Sequence, residues 1–499
     1  MKLPKSFYSW TTAIGAAIAS ISFVSIVFMI LLSFLTNTGS SYSGLITYII
    51  LPVFLVIGLI LIPVGVITKS IKDRKRKVVR EHQFPIVDLN QPVQRRILFY
   101  FGIISTVLIL GTAYGSYEAY HYTESTEFCG KLCHRVMEPE YDTYQESPHS
   151  RVACVECHVG TGASWYVKSK LSGLRQVISV TFDLYPRPIP TPIHNLRPAR
   201  ETCEECHWPQ KFYPRQLVVN KHFLPDEKNT EWDILLLMKV GPLHNGSGLS
   251  EGIHWHISPN VKVEYYSSDS TRNHIPWVRY INKETGDTTV FTDPETGNIR
   301  INPDSVRVMD CLDCHNRPSH NFPSPMQFVN QALAGGTLPK TLPDLKSLAM
   351  QVLNTHYPST DSALKAISTQ VDEYYQTTYE DIYRNKKDTI ALAIAALQDE
   401  YQKHIFPSMN VTWDKYPNHI GHLEFDGCFR CHNNRHISSG GKVISKDCTL
   451  CHAIIGQGVS DTLRGISIFK DLPFVHPEDP DGMWKEMNCS ECHKDLYSM

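Results

Sequence analysis

Every one of the fourteen cysteines falls in one of seven copies of Cys-x-x-Cys-His or its one-residue-longer variant, and none is left over. The pairs are Cys129/Cys133, Cys154/Cys157, Cys203/Cys206, Cys311/Cys314, Cys428/Cys431, Cys448/Cys451 and Cys489/Cys492. They are followed directly by His134, His158, His207, His315, His432, His452 and His493. Two thiols at this spacing add across the vinyl groups of one haem, and the adjacent imidazole reaches its iron. Zinc or disulfide use would not call for a histidine after every pair, so the set reads as seven covalent haem c sites. Such a chain must fold around its cofactors, whose apolar faces replace much of a side-chain core.

The remaining bulk properties narrow the class. At 499 residues the chain has room for two or three domains, and a formal net charge of -2 gives no basic surface for nucleic acid. No charged side chain lies between Lys5 and Lys69, and that interval holds two apolar runs, about 10–35 and 44–68, split by a polar stretch. A third run, about 97–120, is uncharged from Ile97 to Tyr117. Each is long enough to cross a bilayer as a helix. The first has too long an apolar core for a cleaved signal and reads as an anchor.

Orientation follows from the loops. Lys69, Lys72, Arg74, Lys75, Arg76, Lys77, Arg80, Arg95 and Arg96 crowd the segment before the third run against only three acids, which marks the cytoplasmic side. The N-terminus is then cytoplasmic, and the third helix delivers all seven motifs to the outer, periplasmic face of a bacterial inner membrane. Tyr114, Tyr117, Tyr120 and Tyr122 suit an aromatic belt at that exit.

The motif histidines are separated by 24, 49, 108, 117, 20 and 41 residues, so this is no repeat array. The expected fold is a membrane-anchored multihaem cytochrome c with three N-terminal transmembrane helices. Its periplasmic region is irregular to α-helical and haem-packed, with one β-rich and one helical insertion. Residues 1–122 form the anchor, 123–207 a module with the first three haems, and 208–310 the β-rich insertion. A fourth haem occupies 311–330, the helical insertion 331–410, and the last three haems 411–499. Runs at Val261–Tyr266, Trp277–Ile281 and Thr288–Asp293 predict strands. Apolar residues at three- and four-residue intervals predict helices over Ser362–Tyr383 and Lys387–His404.

A haem used only for electron transfer keeps both axial positions filled. Seven of the 23 histidines belong to the motifs, which leaves ample choice for second ligands. His149, His194, His320, His422, His436 and His476 lie near motifs or in polar turns. His254 and His256 read as one strand face, with His256 the candidate ligand and its neighbour a propionate partner. A surface or core role is the alternative for each. Met137, three residues beyond His134, could give the first iron a thioether or pack beside it.

The stretch Cys-His-Arg-Val-Met-Glu-Pro-Glu-Tyr, then Ser-Pro-His-Ser-Arg-Val-Ala-Cys-Val-Glu-Cys-His-Val-Gly, resembles the NapC/NirT family of membrane-anchored quinol dehydrogenases. The resemblance is specific over about 123–207. The whole layout is similar to the larger heptahaem, ImcH-like inner-membrane cytochromes. Two departures from the smaller family members are the extra residue in the first motif and two helices ahead of the usual single anchor.

The resemblance implies a quinol site at the outer membrane face beside the first haem, using a lysine and an acid. Lys168 or Lys170 corresponds by position to the lysine, and Asp183 is the loose match for the acid. It implies seven haem c, menaquinol or ubiquinol as substrate, and partners in the membrane quinol pool and a periplasmic c-type cytochrome or terminal reductase. The competing readings are a terminal reductase of nitrite, hydroxylamine or tetrathionate, a passive anchoring subunit, and the same chain run backwards as a quinone reductase.

Overall fold

The computed structural model describes residues 9–36, 46–75, 88–132, 134–160, 162–193, 197–209, 212–241, 252–297, 300–459, 463, 471–479 and 481–494. They form two compact units. One is Met1–Met137 with Ala153–Val155, the other Glu138–Val152 with Glu156–Met499.

In the first unit, α1 (Trp10–Thr36), α2 (Leu51–Lys75) and α3 (Pro92–Glu124) are each long and apolar enough to cross a membrane. α2 runs further than the apolar segment predicts, carrying Lys69 and Lys72. α3 starts earlier because Pro92 suits a first helical position, where its missing N–H costs nothing. α1 and α2 pack antiparallel along small residues. A Cβ on Gly58 would stand 2.6 Å from the Ala19 nitrogen, and one on Gly65 would stand 2.5 Å from Thr12 Oγ1. Lipid gives no hydrophobic drive for helix pairing, so this close approach supplies the contact. α3 buries none of its residues within the chain. At its end Ser125 accepts from the Phe128 N–H (3.1 Å) and caps the short helix Thr126–Lys131 that leads into the first motif.

The second unit opens with α4 (His134–Gln145, mostly in this unit) and α5 (Ala163–Thr181). Two antiparallel sheets follow. The first orders β1 (Gln216–Phe223), β2 (Glu231–Met238) and β8 (His452–Val459). The second orders β6 (Arg307–Val308), β3 (Val261–Tyr266), β4 (Trp277–Asn282), β5 (Thr288–Thr292) and β7 (Ile437–Ser438). The three predicted strands are β3, β4 and β5. Each sheet borrows a strand from the C-terminal haem segment, so the β-rich insertion is stitched to that segment rather than standing apart.

The helical insertion comprises α6 (Pro325–Gly335), α7 (Leu345–Asn354), α8 (Thr360–Thr378), α9 (Glu380–Asn385) and α10 (Lys387–His404). It has a side-chain core of its own. Val329, Leu345, Ala349, Ala363, Ile367, Val371, Ala393 and Leu397 are fully buried at helical spacing. Ser324 and Ser359 cap α6 and α8 by accepting from Gln327 and Ser362 N–H groups.

Candidate haem-ligating site

The motifs sit on short structures that hold the histidine beside its cysteines: helices Cys154–His158, Ala199–Cys203, Cys311–Cys314 and Cys489–His493, and single turns at Gly427–Arg430 and Cys448–Leu450. The fourth is the most firmly held. Asp313, between its cysteines, is buried and accepts from the Tyr265 hydroxyl (2.7 Å), Arg272 Nη1 (3.0 Å) and Arg307 Nε (2.6 Å). Its other oxygen accepts from the Asp310 N–H (2.7 Å). Three donors from β3, the β3–β4 connection and β6 thus fix one attachment loop.

The second thiols of the second, third and seventh motifs differ from this. Cys157, Cys206 and Cys492 are expected to attach haem, and what the structure adds to that expectation is their backbone placement. Cys157 lies within the helix Cys154–His158 and Cys492 within Cys489–His493, both half-buried. Cys206 stands past the end of Ala199–Cys203 and is exposed. Its N–H donates to the Cys203 carbonyl (3.2 Å), as does that of His207 (2.8 Å), so one carbonyl holds both residues against the first cysteine of their motif. The part these three thiols play in haem attachment rests on the motif itself. None of the described cysteines is in a disulfide.

Six motif histidines each face one histidine from elsewhere in the chain. The ring-centre separations are His207–His149 6.0 Å, His158–His320 6.3 Å, His315–His254 6.2 Å, His432–His256 5.8 Å, His452–His422 6.3 Å and His493–His476 6.0 Å. Two metal–imidazole bonds of about 2 Å each, plus the ring radii, span such a gap. The separations leave room for one metal atom between each pair.

Second partners set the nitrogen that faces the gap. His149 Nδ1 lies 3.1 Å from the Pro318 carbonyl, His320 Nδ1 2.8 Å from Glu140, and His254 Nδ1 3.1 Å from Val240. His256 Nδ1 lies 2.9 Å from Ile253, and His432 Nδ1 2.9 Å from Ser445. An Nδ1–H given to a carbonyl leaves Nε2 unprotonated as the metal-binding atom. Burial lowers the pKa of His254 and His256, and takes His320 and His422 down to about 4, so these rings stay neutral, as ligation requires. The residues present therefore fit bis-histidine haem at six sites.

His436 departs from expectation. Its Nε2 lies 2.7 Å from the Ile275 carbonyl and its Nδ1 3.0 Å from Asn433 Oδ1, and it is fully buried. Both nitrogens are engaged by the protein, and through them His436 ties the fifth motif to the β3–β4 connection. The His254/His256 segment is also not a strand. Ile253–Ile257 is a 3-10 turn. Three residues per turn send positions two apart in different directions, so each histidine reaches a different motif histidine. His194, Cys133 and the His134 side chain lie outside the described residues. Met137 stands one turn beyond His134 on α4.

The attachment sites also touch in order. Cys129 hydrogen-bonds Cys154, and Cys203 hydrogen-bonds Cys311; with haem attached these sulfurs are thioethers, so the bonds mark proximity of the sites. His149, facing the third motif, leans on Pro318, two residues from His320, which faces the second. Arg430 of the fifth motif donates to the Asp313 carbonyl of the fourth (3.0 Å). His422, facing the sixth, stacks on Phe429 of the fifth at 4.3 Å. Lys446, just before the sixth, donates to Asn488 at the head of the seventh (2.7 Å).

Residues 91–187 match the model of the NapC/NirT cytochrome c family, N-terminal region. The chain is 42% identical over 492 residues to the cytochrome c-type protein ImcH of Geobacter sulfurreducens, covering 97% of this chain and 95% of that protein. This chain belongs to the NapC/NirT family of c-type cytochromes. It is also 29% identical over 117 residues to the cytochrome c-type protein NrfH of Wolinella succinogenes, 21% of this chain and 66% of that protein. No solved structure matches it.

The part of the chain matched by the NapC/NirT model contains α3, the first two motifs and α5, and stops short of both insertions. α5 exposes an apolar stripe of Val167, Leu171, Leu174 and Ile178, with Phe182 just past its end. Lys168 and Arg175 border one side of that stripe and Lys170 the other, by helical spacing. Lys168 Nζ rides over the Trp165 ring at 4.5 Å and Lys170 Nζ over Tyr166 at 5.0 Å. Asp183 is paired with Arg187 at 2.6 Å, and Arg187 stacks on Tyr185. The structure thus gives the candidate acid an arginine partner and gives the two lysines aromatic ones.

Proposed function

We propose that this chain oxidises membrane quinol at the periplasmic face of the inner membrane and relays the electrons through seven haems to a periplasmic cytochrome or terminal reductase. The observation that carries the relay is the set of six facing imidazole pairs, which suits irons with both axial positions filled. Haem c, when bound, supplies an iron that exchanges one electron at a time, so the two electrons of a quinol leave singly and its two protons are released. A terminal reductase needs an open iron position with acid–base groups over it, and none of these six pairs provides one.

The quinol end is assigned to the family-matched segment. The exposed apolar stripe of α5, edged by Lys168, Lys170 and Arg175, has the character of a helix lying in the membrane interface, where a lipid-soluble donor arrives. A lysine there holds the quinol oxygen and favours loss of its proton. The touching order of the attachment sites supports single-file transfer from the first haem to the seventh, with the fourth as the crossing between the two terminal groups of three.

Stopped-flow absorbance of the haem-loaded, detergent-solubilised chain mixed with menadiol tests this. Haem reduction slowed at least tenfold in Lys168→Ala or Lys170→Ala, at unchanged haem content, supports the assignment. Full-rate reduction in the double variant removes the quinol site from α5. Inertness to menadiol together with fast oxidation of reduced haem by menadione reverses the direction of flow.

A further inference from the structure

The β-rich insertion lies outside the family-matched residues and contributes two of the six histidines that face motif histidines. Its most constrained element is the turn Gly252-Ile253-His254-Trp255-His256-Ile257. Gly252 has φ +100, and a Cβ there would stand 2.5 Å from the Lys239 carbonyl, so only glycine lets the turn close onto the end of β2. Ile253 N–H then donates to Lys239 (2.9 Å), while Lys239 N–H donates to Cys451 of the sixth motif (2.8 Å). Trp255 stacks on Tyr280 of β4 with ring centres 5.3 Å apart, which anchors the turn to the second sheet between its two histidines. His254 lies parallel to the His315 ring, at an angle of 5°, and His256 edges toward His432 at 85°.

We propose that this turn is a double axial-ligand clamp, in which His254 ligates the iron of the fourth haem and His256 that of the fifth. One rigid six-residue segment then sets the relative position of two haems whose motif histidines are 117 residues apart. Gly252 and Trp255 are positioning residues for both ligands. The clamp explains why the insertion borrows strands from the C-terminal segment: the sheets hold the turn in register with the motifs it serves.

The test is electron paramagnetic resonance of the oxidised, fully haem-loaded chain, with haem content counted by pyridine haemochrome. His254→Met should convert one low-spin bis-histidine haem and His256→Met a different one. The double variant should convert two, each variant keeping seven haems. Unchanged spectra in either single variant, or a double variant that alters only one haem, would overturn the clamp. Trp255→Leu keeps both ligands and should broaden both of those signals; a change confined to one of them would also contradict a shared anchor. None of these readouts involves quinol, so the clamp stands or falls separately from the direction of electron flow.

Discussion

His422 and His436 flank the fifth motif at similar sequence distance, yet they have opposite fates. His422 faces His452 across a gap that suits a metal, whereas His436 has both nitrogens engaged by Asn433 and Ile275. Proximity in sequence therefore does not identify a ligand; the partner of Nε2 does. His422→Met should change the ligation of one haem, visible as one altered low-spin signal. His436→Phe should leave all seven haem spectra unchanged while destabilising the fold by about 1–3 kcal/mol, because the Ile275 carbonyl and Asn433 lose a buried partner. A shifted haem signal in His436→Phe would restore it as a ligand. His149, His256, His320 and His476 all face motif histidines. Neighbourhood to motifs was the legible signal for His149, His320 and His476, whereas His256 was singled out from a strand alternation that a 3-10 turn replaces. The pairing was legible only for His476, which faces the motif directly after it; His149, His256 and His320 face motifs other than their nearest, brought near by folding.

At the scale of elements, periodicity was informative where side chains make the core and silent where haem does. The insertion α6–α10 buries apolar residues every third or fourth position. α10 lies where that period placed it, while the run predicted as one helix over Ser362–Tyr383 divides at Tyr379 into α8 and α9. β3, β4 and β5 were readable as β-branched runs. The Gly252–Ile257 turn was not, because alternation of histidine with apolar residues imitates a strand, while the glycine and the approach to β2 decide otherwise. One buried charge within the helical insertion was silent in the sequence. Lys346 is 1% exposed, with its Nζ 3.3 Å from the Met326 carbonyl and the Glu424 carboxylate the charge that favours its protonated form.

Burial lowers the Lys346 pKa to about 7. An unfolded lysine keeps its proton to far higher pH, so the cost of burying the charge is full below about pH 7 and fades as pH rises toward 10.5. Lys346→Met should raise the melting temperature, and by more at pH 6 than at pH 9. Equal gains at both would show the lysine is neutral throughout. In the membrane unit, Gly58→Leu should push α1 from α2 at a cost of about 1–3 kcal/mol, read as greater protease sensitivity of the α1–α2 hairpin in detergent. Unchanged sensitivity would mean the small-residue seam does not hold the pair.

For the whole molecule, the order of attachment sites matters more than any one ligand. Thioether neighbours, Arg430 on Asp313, His422 on Phe429 and Lys446 on Asn488 link consecutive motifs through the chain. The fourth site lies between the third, through Cys203 and Cys311, and the fifth, through Arg430. Motifs irregularly spaced in the sequence are thus brought into contact in order, and the β-rich insertion supplies the histidines that face the fourth and fifth. The most direct measurement is the fraction of haem reduced by menadiol in the fast stopped-flow phase, comparing the full chain with Cys311→Ala/Cys314→Ala, which cannot attach the fourth haem. The account predicts that all seven haems reduce quickly in the full chain and only three of the remaining six in the variant, the others following slowly. Rapid reduction of all six would contradict a single-file relay, and no reduction of the full chain would contradict quinol as the electron source.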